Sequence, residues 1–141
     1  MAMRAVLFVD DDAIMLRSLE RGFQDEQFDK HFAGSGEEAL EILRREEVHV
    51  LVTDMCMCEM SGAELIRIVK REYPDIVSIM HSGYAPTDEL RRAIHREKIF
   101  KFVCKTVTLE EDLKQVVRQA VDHYDLQSQH EKVLAKSEWL G

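Results

Sequence analysis

Four short apolar runs in this chain each lead directly into residues able to do chemistry. AVLFV, residues 5–9, runs into Asp10, Asp11 and Asp12; VHVLVT, 48–53, into Asp54; IVSIM, 76–80, reaches Ser82 and Gly83 after one His; and FKFVC, 100–104, meets Lys105. Three or more carboxylates gathered with one ammonium and one hydroxyl would repel one another unless a cation sat among them. Hard oxygen donors favour Mg²⁺, which takes one or two carboxylates and fills its remaining positions with waters and substrate phosphate oxygens.

The stretch TDMCMCEMSG, residues 53–62, offers a competing chemistry, since two thiols and neighbouring thioethers suit a soft ion such as Cu(I) or Zn²⁺. A closed structural zinc site wants four ligands. The nearest histidines in sequence, His49 and His81, stand in strand-like runs and read as packing or edge residues. Met and Cys here therefore read first as soft packing groups, with metal binding by Cys56 and Cys58 as the rival. Asp12 also reads as a helix cap.

The elements that must position these residues follow from periodicity. The four apolar runs are rich in Val and Ile and read as strands, and the more polar 28–33 reads as a further strand at a sheet edge. Between them lie segments of helical period, roughly 13–24, 37–46, 62–71, 87–96 and 109 onward, the third stopping before Pro74. Ser35 with Glu38, Ser61 with Glu64 and Thr108 with Glu111 match S/T-x-x-E, in which each end satisfies an orphan backbone donor of the other. Strict alternation of near-continuous apolar strands with helices predicts a doubly wound α/β fold, a five-stranded parallel sheet with helices on both faces. Such a sheet collects the carboxyl ends of its strands along one edge, where ligands bind.

The whole chain narrows the function classes. Its 141 residues, 45% hydrophobic, suffice for one domain with a real core. With 19 Lys and Arg against 27 Asp and Glu the net charge is −8, which argues against direct nucleic-acid binding. No apolar run is long enough to span a bilayer and no signal-peptide pattern opens the chain, so a cytoplasmic protein with reduced thiols is expected.

VDDD at 9–12, TDM at 53–55, SG at 82–83 and CKT at 104–106 together resemble the receiver domain of two-component response regulators, over about residues 4–124. The resemblance implies a flavodoxin-like fold with strand order 2-1-3-4-5, receivers of this kind being the standard example of that order. It implies Asp54 as phosphoacceptor from a sensor histidine kinase or phosphotransfer protein. Asp10, Asp11, Asp54 and the backbone carbonyl of Cys56 would then hold Mg²⁺, and Ser82, Gly83 and Lys105 would surround the phosphoryl group. A carboxylate is already nucleophilic at neutral pH, so catalysis is alignment plus charge neutralisation. Ser82 and Phe102 would form the switch, with Phe102 filling space vacated by Ser82; the alternative is a simple core aromatic. Cys56 and Tyr84 occupy positions that tune phosphoryl lifetime.

Two positions depart from the family pattern. Cys58 replaces a common Pro, leaving the loop less rigid, and Lys105-Thr106 replaces Lys-Pro, where a cis bond before Thr would cost about 2.5–4 kcal/mol. Residues 1–124 read as the receiver and 125–141 as a helical extension: a linker to an absent output domain, a homodimer-forming helix or a frayed tail. Trp139 near the end could mark a contact surface. SGYAPTDELRRAIHREKIFKFVCKT resembles receivers attached to HD-GYP-type phosphodiesterases more than those attached to DNA-binding domains. The competing function is a degenerate receiver acting as a constitutive interaction or dimerisation module.

Overall fold

The computed structural model describes residues 3–83, 87–105 and 109–140, excepting the side chains of 89–90, 109–111 and 137–140. Five parallel strands, β1 (Ala5–Val9), β2 (Asp29–Ala33), β3 (Val50–Thr53), β4 (Val77–Ser82) and β5 (Lys101–Cys104), form one sheet in the order β2-β1-β3-β4-β5. They alternate with α1 (Ala13–Gly22), α2 (Gly36–Arg45), α3 (Gly62–Glu72), α4 (Asp88–Arg96) and α5 (Leu109–Leu140). The expected architecture and strand order are both present, and β2 is an edge strand as its polarity suggested.

The central strands β1, β3 and β4 are buried at every position, which is why they read as unbroken apolar runs. Successive side chains serve opposite faces. Leu7 and Val9 of β1 join Leu65, Ile66 and Val69 of α3 and Ala39, Ile42 and Leu43 of α2 in one core. Val6 and Phe8 join Leu19 of α1 and Leu113, Val117 and Ala120 of α5 in the other. Phe8 stacks on Phe32 at 5.3 Å between ring centroids and meets Phe23 at 4.8 Å.

The helix starts follow the capping chemistry with one shift. Asp12 caps α1 by accepting from the amides of Ile14 and Met15, and Ser61 caps α3 through the Glu64 amide at 3.2 Å. At α2, Ser35 accepts from Glu38 as expected, yet the Glu38 carboxylate reaches back to the amide of Gly34 instead of that of Ser35. The pairing expected of Thr108 with Glu111 lies outside the described residues, as does the Lys105-Thr106 linkage. Four strands start one or two residues later than expected, β2 at Asp29, β3 at Val50, β4 at Val77 and β5 at Lys101, while β4 runs on to include Ser82.

The 4-3-4 spacing of Leu113, Val117, Ala120 and Tyr124 is the seam by which α5 packs on the sheet. The helix then continues without a break past the domain. Leu126, Val133 and Leu134 on this extension are 65%, 63% and 50% exposed. The side chain of Trp139 lies outside the described residues.

Candidate functional site

The carboxyl ends of β1, β3 and β5 bring four of the expected residues into one cluster. Each strand end is held by its neighbour, the Asp10 amide donating to the carbonyl of Ala33 at 3.1 Å and the Asp54 amide to that of Val9 at 2.9 Å. Register therefore fixes the acids in space. One carboxylate oxygen from each of Asp10, Asp11 and Asp54 lies within 4.8 Å of the other two.

The three acids differ in setting. Asp10 is 1% exposed; its Oδ1 accepts from the Asp12 amide at 2.9 Å and its Oδ2 from Lys105 Nζ at 2.7 Å. Asp54 is partly exposed, with Oδ1 accepting from the Met55 amide at 2.8 Å and lying 3.5 Å from Lys105 Nζ. Asp11 is exposed and accepts from the Cys58 amide at 3.2 Å. Three carboxylates thus share a single ammonium among the described residues.

That imbalance is visible in the acid–base properties. Burial pushes the Asp54 carboxyl above the usual carboxylate range; Lys105 pulls it down and Asp10 pushes it further up. For Lys105, burial alone would lower the ammonium, but the hydrogen bond and charge of Asp10 and the charge of Asp54 outweigh it and hold the group above its ordinary value. Oxygen donors alone, with surplus negative charge and one exposed side, fit a hard divalent cation such as Mg²⁺.

Ser82 ends β4 fully buried, and its carbonyl accepts from the Lys105 amide at 2.7 Å, which joins the β4 and β5 ends at the site. Beside Gly83, a Cβ would meet no atom of the described residues within 4 Å. Phe102 is half-buried opposite Met80 on β5 and packs against the core shared by α2 and α3. Cys56 is exposed on the loop after Asp54. Tyr84 lies outside the described residues.

The rival soft-metal reading finds its residues apart. Met55, Met57 and Met60 are partly buried against the core, whereas Cys56 and Cys58 are exposed. Both histidines are buried, not at an edge: His49 is 4% and His81 1% exposed.

Gly62 carries a constraint that sequence reading missed. A Cβ on it would lie 2.0 Å from the backbone oxygen of Asp54, so only glycine lets α3 start this close beneath the acid. The available signal was a glycine directly after the capping Ser61. His81 was also underrated, because its Nε2 has no hydrogen-bond partner among the described residues and burial, with the nearby Lys105 charge, depresses its pKa to about 4.

A five-stranded parallel sheet in this order, with acids at the ends of β1 and β3 and a lysine at the end of β5, defines a class. The family described as response regulator receiver domain matches residues 6–118, and the chain belongs to it. It is 32% identical over 122 residues to the hydrogenase transcriptional regulatory protein HoxA of Cupriavidus necator, covering 86% of this chain and 25% of that one. To the sensor kinase CckA of Brucella abortus it is 34% identical over 122 residues, covering 85% and 13%. The chain spans a quarter or less of the length of these two curated relatives. Among solved structures, an adenylate cyclase from Rhodopirellula baltica matches with a TM-score of 0.84 and 27% identity, covering 96% of this chain and 99% of that one. Among the described residues no helix is long and apolar enough to cross a membrane.

Proposed function

We propose that the chain is a cytoplasmic phosphoacceptor switch, taking a phosphoryl group onto Asp54 from a phosphohistidine of a sensor kinase or phosphotransfer protein. The observation that carries the reading is the sharing of one ammonium, Lys105, between Asp10 at 2.7 Å and Asp54 at 3.5 Å, beside exposed Asp11. With Oδ1 of Asp54 engaged by the Met55 amide, Oδ2 attacks phosphorus. A P–O bond forms, the P–N bond of the donor breaks, and the donor imidazole leaves with the electron pair and takes up a proton. No separate base is needed, since an ionised carboxylate is itself a nucleophile.

Asp10, Asp11, Asp54 and the carbonyl of Cys56 would hold Mg²⁺, which supplies charge neutralisation for the phosphoryl oxygens. Lys105 contributes the second positive charge, and Ser82 donates a hydrogen bond to the transferred group, with Gly83 leaving room beside it. Drawing Ser82 to the phosphoryl group frees space beside β4 that Phe102 enters, altering the face formed by α4, β5 and α5. Cys56 and Tyr84 flank the path of hydrolytic water and set how long the phosphate lasts. Residues 1–124 form the switch and 125–141 carry its state to an output module, HD-GYP-type by resemblance, or to a second copy.

Intact mass after incubation with a small-molecule phosphodonor tests the reading on wild type and Asp54→Asn. One Mg²⁺-dependent phosphoryl adduct, absent from the variant, is expected. No adduct together with no beryllofluoride binding would leave a constitutive interaction module as the function. The Phe102 movement is checked by NMR of its ring with and without beryllofluoride, unchanged ring shifts counting against it.

A further inference from the structure

The loop that follows Asp54 carries two accessible thiols, and its construction ties them to the acid cluster. Met55, Met57 and Met60 turn toward the core while Cys56 and Cys58 are exposed. Residues 55–58 therefore alternate between core-packed and exposed, and the two thiols are both open to solvent with Met57 anchored between them. The amide of Cys58 is the donor to Asp11 Oδ2 at 3.2 Å, across 47 positions of sequence. Cys56 supplies the carbonyl assigned above to the cation.

From these positions we propose that Cys56 and Cys58 form a reversible dithiol brake on the site, closing to a disulfide that withdraws the loop from the cation seat. The proposal rests on the phosphoacceptor reading of that site. A low-molecular-weight disulfide such as oxidised glutathione supplies the oxidant. One cysteine, having lost its proton to solvent, attacks a glutathione sulfur and expels the other as thiolate. The second cysteine then attacks the protein-bound sulfur and expels the remaining glutathione. The net change joins Cys56 Sγ to Cys58 Sγ, with two protein thiols oxidised and one glutathione disulfide reduced to two thiols.

The geometry explains why closure would be felt at the site. Residues two apart on fully extended backbone are separated by about 6.6 Å between Cα atoms; in a loop that bends at Met55 and Cys58 that figure is an upper bound, which leaves the pair within the roughly 4.4–6.8 Å that disulfides span. Closing so small a ring draws in the backbone between the thiols, which moves the Cys56 carbonyl and the Cys58 amide. No proline stiffens the stretch, the nearest being Pro74. Glu59, immediately after, already sits at φ 69°, so the turn that would absorb the change is held away from relaxed backbone. Strain in the ring makes it readily reduced, the property of a regulatory bond and not a structural one.

The test compares the full chain, reduced and after treatment with oxidised glutathione, by intact mass, by peptide mapping and by calorimetric titration with Mg²⁺. Treatment should remove two hydrogens and link Cys56 to Cys58. Mg²⁺ affinity should fall about 10–100-fold, the usual cost of losing a hydrogen bond that orients a metal ligand, and return with dithiothreitol. Cys104→Ser, removing the third exposed thiol, should respond like wild type. Cys58→Ser, measured against itself with and without treatment, should show no change in affinity. A bond through Cys104, no bond at all, or a Cys56–Cys58 bond with unchanged Mg²⁺ affinity would each overturn the brake. Absence of Mg²⁺ binding by the reduced chain would instead overturn the reading of the acid site, and the brake with it.

Discussion

The sheet has one buried histidine near each end, and they are treated oppositely. At the amino end His49 is satisfied on both ring nitrogens: Nδ1 accepts from the Ala5 amide at 2.9 Å and Nε2 lies 3.3 Å from Glu47. Its ring meets Tyr124 edge-on at 4.8 Å, Arg4 lies over the same tyrosine at 5.0 Å, and Arg4 closes the set by pairing with Asp125 at 2.6 Å. Near the carboxyl end His81 is more deeply buried yet leaves Nε2 without a partner among the described residues, close to a cluster in which three acids share one lysine among those same residues. At the amino end the ionisable groups are matched, and the unmet polarity is confined to the neutral hydroxyl of Ser78, which has no hydrogen-bond partner among the described residues. The carboxyl end retains unmatched charge and polarity, the condition under which a bound cation or phosphoryl group changes the energy of the fold.

Lys105→Met should have the largest effect, because it leaves Asp10 buried with no counter-charge among the described residues. A loss of about 3–5 kcal/mol is expected in urea unfolding without Mg²⁺. An unaffected midpoint would show that the pair does not hold β5 to β1. His49→Ala tests the opposite end. Orphaning the Ala5 amide and opening space beside Tyr124 should cost about 2–3 kcal/mol, with Mg²⁺ affinity unchanged, since the residue lies across the sheet from the acids.

The fold was legible because the strands β1, β3 and β4 are buried on both faces and mostly apolar, and strict alternation with helices leaves few topologies. The acids were legible because strand ends in such a sheet share an edge. What stayed hidden depends on contacts between distant residues. The Cys58 amide reaches Asp11 across 47 positions, Gly62 is required by the backbone of Asp54, and the unmatched nitrogen of His81 depends on what packs over it. His49 and His81 look alike in sequence, each beside apolar residues, and only the packed chain separates a satisfied imidazole from an orphaned one. The capping motif at Ser35 shows the same limit, since the shift of Glu38 to the amide of Gly34 is a matter of side-chain reach.

His81→Leu should stabilise the chain by about 1 kcal/mol at neutral pH, by removing a buried nitrogen with no partner among the described residues. Burial, with the Lys105 charge, lowers the folded pKa of His81 from 6.5 to about 4. A depressed pKa contributes stability that is present above the unfolded value and lost as pH falls toward the folded one. The advantage of the leucine variant should therefore widen between pH 6.5 and 4, followed by thermal unfolding. A constant gap would mean that the imidazole finds a proton acceptor as it charges.

Asp54→Asn should stabilise by a smaller amount, on the order of 1 kcal/mol, the scale of one charge interaction at a partly exposed site. Its pH dependence has the opposite sign. Burial raises the folded pKa of Asp54, so the stability this group contributes is present below its unfolded pKa and lost as pH rises through the folded one. The advantage of asparagine should therefore shrink as pH falls, while that of His81→Leu grows. Mg²⁺ should also erase it at neutral pH, because a bound cation rewards the wild-type carboxylate and not the amide. Two stabilising variants from one end of the sheet, diverging with acid, would separate repulsion among the acids from an unmet hydrogen bond. Parallel curves would place both gains in packing, and the contrast between the two ends would then lie in side-chain fit and not in charge.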